Sequence, residues 1–463
     1  MLFPSEEFLF VFLPVVVTVY YAFLRKTKKA KNIFLLITSL FFYAWGEPGY
    51  VFLMMATIAF NYAYGLLVDK FRDDRIKGRM VLFLMVMTNL AILGWFKYSV
   101  FAISNFNRFA KTSFPIPEVA LPIGISFFTF QAMSYVIDVY RGKEQVQKNP
   151  FDLALYVSFF PQLIAGPIVR YETVAAQIRE RTETLEMFSY GIRRFIVGLG
   201  KKVMLANTLA LVSDMAFDMN PELLSTPMAW LGIIAYTLMM YFDFSGYSDM
   251  AIGLGKMFGF TFEENFNYPY ISKSITEFWR RWHISMQTWF RDYLYFPLGG
   301  SRSKTVARRV FNLFVVWLAT GIWHGANWTF IAWGLFYFVL QFFEKYFKPF
   351  NKIPAWVRYI YTMLFVMLGW VLFRSASISG AWEYMIRMFT PNFTGDGLAL
   401  MNIREHGLGI LAGLVCMTPL GVWLNKKVRI PWIISTVAYF AVFALSVLYI
   451  VKGGYNVFIY FNF

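Results

Sequence analysis

Cysteine, histidine and charged residues are all scarce in this sequence. Cys416 is the only cysteine, which excludes an internal disulfide, and the three histidines do not have the spacing of a metal site. Only 15% of the 463 residues are charged, whereas a soluble protein has about a quarter. Hydrophobic residues make up 58%. This composition excludes an ordinary soluble protein and predicts one membrane-embedded domain, residues 1–463, without bound metal or cofactor.

The net charge of +16 raises the question of nucleic acid binding. The basic residues lie mostly in short loops between apolar segments, and no nucleic-acid-binding motif is present. They therefore indicate membrane topology and contact with anionic lipid headgroups, and we expect no nucleic acid partner.

Long apolar runs dominate the chain. Because about 20 apolar residues cross a bilayer, we expect an all-α polytopic protein with about 11–12 spanning helices plus re-entrant or interfacial helices. The candidate runs are 7–24, 33–45, 50–68, 80–104, 119–140, 196–217, 228–252, 310–323, 326–343, 356–373, 407–424 and 431–451.

Basic clusters follow the first, third and fifth of these runs, and another precedes the last. Assigning them to the cytoplasm places both termini outside the cytoplasmic membrane. Two stretches do not fit simple crossings. Residues 151–168 are apolar but contain Pro161, Gly166 and Pro167, and we expect them to dip in and return. Residues 256–309 are basic and aromatic, which predicts a cytosolic-side interfacial or re-entrant segment.

Within that segment, residues 275–294 read ITEFWRRWHISMQTWFRDYL. Apolar residues recur at helical spacing, so we expect one amphipathic helix, with Glu277 and Arg281 paired at i,i+4. The periodicity by itself suits an interfacial helix as well as a functional one. His283 and Ser285 lie within it and favour the functional reading.

His324 lies between two short apolar runs, in ATGIWHGANWTF. An ionisable side chain at membrane depth is costly unless it faces a cavity or a partner, so it indicates a functional site. A histidine hydrogen-bonded inside a helix bundle is the alternative. Gly321 and Gly325 would allow a bend or a close approach there. We expect His406, in NIREHG, to be a solvated residue of an outer loop.

The segments YFDFSGYSDMAIGLGKMFGF, NFNYPY, EFWRRWHISMQTWFRDYLYFPLGG and GIWHGANWTF occur in this order from residue 241 to residue 330. They resemble the signature segments of the membrane-bound O-acyltransferase family. The two ends of the chain, MLFPSEEFLFVFLPVVV and FIYFNF, resemble the bacterial branch that contains the alginate and peptidoglycan O-acetyltransferase membrane subunits. The D-alanyl transferase of teichoic acid synthesis is a more distant relative.

The resemblance implies a ring of membrane helices around a thin centre, with an outer funnel and a tunnel to the cytosolic side. It implies that His324 is catalytic and that His283 lies near the tunnel. It also implies an extracytoplasmic SGNH-type, esterase-like partner that completes transfer to the polymer.

For the chemistry, we expect His324 to deprotonate a hydroxyl and His283 to polarise the thioester carbonyl or to order the helix. The donor would be acetyl-CoA or an acyl carrier. Arg280, Arg281 and Arg291 could attract an anionic donor at the cytosolic mouth, or they could lie at the membrane interface. The residues expected to bind the donor or substrate are Arg280, Arg281, Trp282, Ser285, Arg291, Asp292, Trp323 and Asn327.

Tyr460 is the only hydroxyl-bearing residue of the C-terminal tail, residues 458–463. We expect this tail outside the membrane, where the tyrosine would relay the acyl group to a partner or serve as an interfacial anchor.

The expected function is therefore O-acylation, most simply O-acetylation, of a cell-surface or secreted polysaccharide from a cytosolic thioester. D-alanyl transfer from a carrier protein, transport of an acyl donor without chemistry, and a silent scaffold are the alternatives.

Overall fold

A computed structural model describes residues 1–24, 27–164, 166–393, 396–428 and 431–453. These ranges contain helices, turns and loops but no β-strand, so the predicted all-α fold is confirmed. The chain divides into two compact units. Unit one comprises Met1–Phe195 and Met250–Glu263, and unit two comprises Ile196–Asp249 and Glu264–Phe463.

The helices in chain order are α1 Glu7–Phe23, α2 Lys28–Gly46, α3 Tyr50–Lys70, α4 Arg75–Ala110, α5 Ile125–Tyr140, α6 Pro150–Ser158, α7 Phe160–Leu163, α8 Tyr171–Glu180, α9 Leu185–Phe217, α10 Thr226–Met257, α11 Ile275–Arg281, α12 Ile284–Phe290, α13 Val306–His324, α14 Trp328–Tyr346, α15 Ala355–Arg374, α16 Ile378–Phe389, α17 Asp396–Cys416, α18 Leu420–Lys427 and α19 Trp432–Val451. Many begin at a side-chain cap. Asp74, for example, accepts hydrogen bonds from the backbone N–H groups of Ile76 and Lys77 at 3.2 and 3.0 Å.

Eight helices in the described ranges are long and apolar enough to cross a bilayer, namely α3, α4, α9, α10, α13, α15, α17 and α19. The protein is therefore a multi-pass membrane protein. The sequence predicted more crossings because some apolar runs form shorter helices. The run at 119–140, for example, yields only the 16 residues of α5.

Two predicted elements are wrong. The run at 407–424 is not one helix, because Pro419 cannot continue α17 and the chain starts again as α18 at Leu420. Because α17 begins at Asp396, it includes NIREHG, and His406 is helical rather than part of a loop. The amphipathic helix predicted over 275–294 is also interrupted, at Trp282 and His283.

The core of unit one is built around α5, which is buried from Ile125 to Val139. Gly65 on α3 makes room for it, because a Cβ there would lie 2.6 Å from the hydroxyl of Tyr135. Beside this core, the buried guanidinium of Arg181 donates to Asn32 Oδ1 at 2.6 Å and to the Phe258 carbonyl at 3.1 Å. These bonds satisfy a charge that would be costly to bury alone.

In unit two, α13 and α14 form a tightly packed antiparallel hairpin. A Cβ on Gly321 would lie 2.5 Å from the Phe330 carbonyl oxygen, and a Cβ on Gly334 would lie 2.5 Å from that of Trp317. Small residues let membrane helices approach closely, so these two glycines set the spacing that positions the end of α13. The expectation that Gly321 permits a close approach is confirmed.

Two ion pairs join α9 and α10 inside unit two. Lys202 Nζ lies 2.6 Å from Asp243 Oδ1, and both side chains are buried. Lys201 Nζ lies 2.6 Å from Asp249 Oδ2. Acidic residues inside an apolar helix are expensive, and pairing them with lysines from the neighbouring helix lowers that cost.

Candidate active site

The interruption between α11 and α12 places His283 in an unusual backbone conformation. Ser274 caps α11 by accepting from the Glu277 N–H at 2.9 Å, and α11 ends at Arg281. His283 then has φ +46° and ψ +53°, in the left-handed region that residues other than glycine seldom adopt. Such strain persists only where the surrounding contacts hold it, and it is concentrated at functional sites.

Asn265 supplies those contacts. Its Oδ1 accepts from Nδ1 of His283 at 3.2 Å, from the backbone N–H of Ser285 at 3.2 Å and from the Ser285 hydroxyl at 2.9 Å. Its backbone carbonyl accepts from the N–H of Ile284 at 2.9 Å. Its Nδ2 donates to Ser248 Oγ at 3.0 Å, and both of these side chains are buried. Sequence reasoning missed Asn265, although it is the first residue of NFNYPY, and that motif was the signal that could have found it.

The imidazole of His283 is buried among aromatic rings. Its ring centroid lies 4.6 Å from that of Phe244 and 6.1 Å from that of Trp323. Only 1% of the residue is exposed, and this burial lowers the pKa of His283 to about 3. The imidazole is therefore neutral at physiological pH.

His324 is the last residue of α13 and also lies among aromatic rings. Its ring centroid is 5.0 Å from that of Trp323, 4.8 Å from that of Trp333 and 5.1 Å from that of Phe373. Gly325 follows in an extended conformation and packs against the Phe330 ring, and a Cβ at this position would lie 2.3 Å from Cε2 of Phe330. The two histidines predicted to be functional therefore contact one indole, that of Trp323.

A cavity of about 700 Å³ lies between α11, α12, α13 and α14. It reaches Thr320, which precedes His324 by one helical turn, or about 6 Å along α13. Its lining combines positive charge, indole rings and amide groups. The residues that give it this character are Trp279, Arg280, Gln287, Arg291, Trp317, Gln341 and Lys345.

Glu344 also lines the cavity, but its carboxylate accepts hydrogen bonds from the N-terminus of α11. It accepts from the backbone N–H groups of Ile275 and Thr276 at 2.5 and 2.9 Å, and from the Thr276 hydroxyl at 2.7 Å. A carboxylate at a helix N-terminus is stabilised there. The cavity lining therefore presents mainly cations to a ligand.

The predicted arginines have different positions. Arg280 and Arg291 line the cavity, and Arg291 also pairs with Asp292 at 2.8 Å. Arg281 does not line it. Its guanidinium pairs with Glu277 at 3.0 Å, which confirms the predicted i,i+4 contact, and it donates to the Asn267 carbonyl.

The remaining predicted residues that the structure describes lie around the site rather than in the cavity. Trp282 packs in an aromatic cluster, with ring centroids 5.6 Å from Phe278 and 5.0 Å from Trp370. Asn327 caps α14 and donates to the Ala376 carbonyl at 3.0 Å. Tyr460 lies outside the described residues. Within the described ranges, no group of three or more His, Cys, Asp or Glu side chains could hold a metal ion.

Residues 124–379, more than half of the chain, match the membrane-bound O-acyltransferase family. The chain belongs to this family. It is an acyltransferase, and both histidines that contact Trp323 lie inside the matched region, as does Asn265.

Three relatives illustrate the range of this membrane-bound O-acyltransferase family. The chain is 44% identical to "Probable alginate O-acetylase AlgI" of Pseudomonas aeruginosa, over 84% of this chain and 75% of the relative. It is 33% identical to the peptidoglycan O-acetyltransferase of Helicobacter pylori, over 100% and 98%. It is 30% identical to the teichoic acid D-alanyltransferase of Bacillus subtilis, over 54% and 68%.

Proposed function

We propose that this acyltransferase transfers an acetyl group from a cytosolic thioester to a hydroxyl, for O-acylation of a cell-surface or secreted polysaccharide. One observation carries the proposal. Two histidines contact the same buried indole, and a cationic cavity reaches to within one helical turn of His324. A base and a site for an anionic donor are the parts that acyl transfer from a phosphorylated thioester requires.

The cavity suits a nucleotide-containing thioester such as acetyl-CoA. Its volume falls within the range of about 300–1,000 Å³ that is usual for small-molecule sites. Arg280, Arg291 and Lys345 would face the phosphates, and the indoles of Trp279 and Trp317 offer apolar surface. A carrier protein bearing the same thioester on a phosphorylated arm is the alternative donor.

His324 acts as the base. It accepts the hydroxyl proton while the hydroxyl oxygen bonds to the thioester carbonyl carbon. The carbon–sulfur bond then breaks, and the sulfur leaves as a thiol after the imidazolium returns the proton. An imidazole can both accept and return a proton, which suits both transfers.

The orientation in the membrane follows from charge. Arg308 and Arg309 lie in the first turn of α13, and His324 is at its other end. With basic residues facing the cytoplasm, the donor enters from the cytosolic side and His324 lies towards the outside of a bacterial inner membrane. The basic clusters after the first, third and fifth apolar runs and before the last run support extracytoplasmic positions for both chain termini.

Beyond the membrane, an SGNH-type, esterase-like protein would receive the acyl group and pass it to the polysaccharide. Acetyl is favoured over D-alanyl because the acetyltransferase relatives are matched over most or all of this chain, whereas the D-alanyltransferase is matched over 54%.

Tyr460 is the proposed relay between the membrane site and that partner. Mass spectrometry of the C-terminal peptide, after incubation with donor, should detect an acetyl group on its phenol oxygen. Tyr460→Phe should abolish both this adduct and polymer acetylation. Full activity of Tyr460→Phe would eliminate the relay.

The test of the function compares two histidine variants. Cells lacking this protein are complemented with wild type, His324→Ala or His406→Ala at matched membrane levels, and the acetyl content of the surface polysaccharide is measured. His406 lies on α17 and serves as the control. Wild type and His406→Ala should restore acetylation, whereas His324→Ala should lower it by about 100-fold or more.

Equal restoration by all three proteins would show that the chemistry assigned to His324 is wrong. Purified protein separates transfer from transport. An acyltransferase releases free thiol from the donor, whereas a transporter moves intact donor across the vesicle membrane without releasing thiol.

A further inference from the structure

We propose that Asn265 is a positioning residue that holds the hydrogen of His283 on Nδ1 and leaves the lone pair on Nε2, so that His283 accepts a hydrogen bond from a substrate O–H or N–H group. This inference rests on the proposed function for its role in acyl transfer. The tautomer itself can be tested without any assay of activity.

The orientation of the Asn265 amide is determined by a group that can only donate. The backbone N–H of Ser285 points at the Asn265 side chain at 3.2 Å, so the atom it meets is the carbonyl oxygen. The amide nitrogen then faces Ser248 Oγ at 3.0 Å, where it finds an acceptor. An exchange of oxygen and nitrogen would set two donors against each other.

This orientation determines the tautomer of His283. Nδ1 lies 3.2 Å from Asn265 Oδ1, which is an acceptor only, so Nδ1 must carry a hydrogen to form this bond. A neutral imidazole has one N–H, so Nε2 carries the lone pair. Burial lowers the pKa of His283 to about 3, so the imidazole stays neutral and Nε2 stays unprotonated.

Nε2 itself is buried, and no group among the described residues hydrogen-bonds to it. The imidazole packs against the rings of Phe244 and Trp323 instead. A buried nitrogen without a hydrogen-bond partner destabilises the fold, and a bound substrate that donates a hydrogen bond removes that cost.

The backbone of the turn supports the same arrangement. Asn265 binds the N–H groups of both Ile284 and Ser285, the two residues after His283, and so holds His283 at φ +46°. One residue therefore determines both the direction of the ring and the site of its hydrogen.

The assignment distinguishes between the roles expected for His283. Polarising a carbonyl requires an N–H at Nε2, which this tautomer lacks. Holding a hydroxyl or amide group of a substrate requires an acceptor at Nε2, which it has. His283 therefore orients a substrate, while His324 remains the base.

Nitrogen NMR of protein labelled with ¹⁵N-histidine tests the tautomer directly, since the chain contains only three histidines and His283→Gln identifies the signal. Wild type should show a protonated Nδ1 and a bare Nε2 between about pH 5 and 8, where an ordinary histidine titrates. A hydrogen on Nε2 of His283 in wild type would overturn the inference.

Variants of Asn265 test the positioning. Asn265→Ala should mix the two tautomers and lower kcat/KM about 10- to 100-fold, as removal of residues that orient metal-binding histidines does. Asn265→Asp keeps an acceptor at Nδ1. Its negative charge raises the pKa of His283, so activity should be poor at low pH, where Nε2 is protonated, and should recover as the pH rises.

Asn61→Ala is the matched control, because it removes a buried asparagine from unit one that pairs with Asn89 at 3.0 Å. It should leave the His283 signal unchanged. An unchanged tautomer and activity in Asn265→Ala would overturn the inference. If wild type has the expected tautomer but transfers no acyl group from any donor, the proposed function fails and the positioning by Asn265 stands.

Discussion

The two histidine segments differ in how the protein holds them. His283 is held by hydrogen bonds, because Asn265 binds its ring and the two backbone N–H groups that follow it. His324 is held by packing, at the end of a helix that glycines bring close to its neighbour and among three aromatic rings. Two mechanisms of positioning thus serve one site around Trp323. Substitutions that remove hydrogen bonds and substitutions that disturb packing should therefore have different effects on activity and stability.

Among the substitutions that test how the two histidines are held, the largest expected effect comes from removing the hydrogen-bonded histidine. His283→Gln should lower the rate of acyl transfer about 100-fold, or about 2.7 kcal/mol in activation free energy, without loss of protein. Thiol release from acetyl-CoA by purified protein measures it. Normal transfer would remove His283 from the mechanism.

A smaller effect should follow from breaking the packed side. Gly334→Ala places a methyl group 2.5 Å from the Trp317 carbonyl, so the hairpin must shift, at a cost of about 1–3 kcal/mol of stability. Gly421→Ala on α18 is the control, because nothing lies within 4 Å of its added Cβ. Thermal unfolding in detergent should give a lower melting temperature for Gly334→Ala than for Gly421→Ala. Equal melting temperatures would show that the hairpin tolerates a wider spacing.

The cavity provides a third comparison, between neighbouring arginines. Arg280→Ala and Arg291→Ala should each raise the KM for acetyl-CoA about tenfold, the loss of about 1.4 kcal/mol of binding to an anion. Arg281→Ala should change it much less, since Arg281 pairs with Glu277 and does not line the cavity. Steady-state kinetics at fixed salt measure all three. A larger effect of Arg281→Ala would place the donor elsewhere.

The smallest expected effect concerns pH. The pKa of His283 is lowered to about 3, so its imidazole is neutral throughout the range from about pH 5 to 8 and contributes no acidic limb to kcat/KM there. His283→Gln should therefore lower the rate while leaving the shape of the pH profile unchanged. Loss of an acidic limb in this variant would show that His283 titrates during catalysis.

Much of the fold was readable from the apolar runs, and the errors have local causes. The apolar run at 407–424 continues through Pro419, but proline cannot continue a helix, so α17 ends at Cys416 and α18 begins at Leu420. Residues 275–294 have an uninterrupted apolar periodicity, yet the helix is broken at His283 because Asn265 accepts hydrogen bonds from the backbone N–H groups of the next two residues. Apolar periodicity indicates which residues share a helix face. It carries no information about a hydrogen-bond partner such as Asn265, which lies 18 residues away from His283 in the sequence.

The candidate site was readable in part. His283 and His324 were recognisable because ionisable groups are rare in this chain and lie in distinctive motifs. Arg281, Trp282 and Asn327 were grouped with them by position in the sequence, but the structure assigns these residues to an ion pair, an aromatic cluster and a helix cap. Lys345 and Trp317 line the cavity, but they lie outside the sequence motifs that resemble the family, so the sequence did not indicate them.

The sequence by itself determined an all-α membrane protein with two histidines of interest, because hydropathy and composition are properties of the chain alone. Its motifs indicated an acyltransferase only through their resemblance to a known family. Only the tertiary structure decided that both histidines contact Trp323, that Asn265 orients one of them, and that a cationic cavity approaches the other. These facts depend on contacts between residues far apart in sequence. Such contacts are selected by packing and by the need to satisfy buried polar groups, which no local pattern encodes.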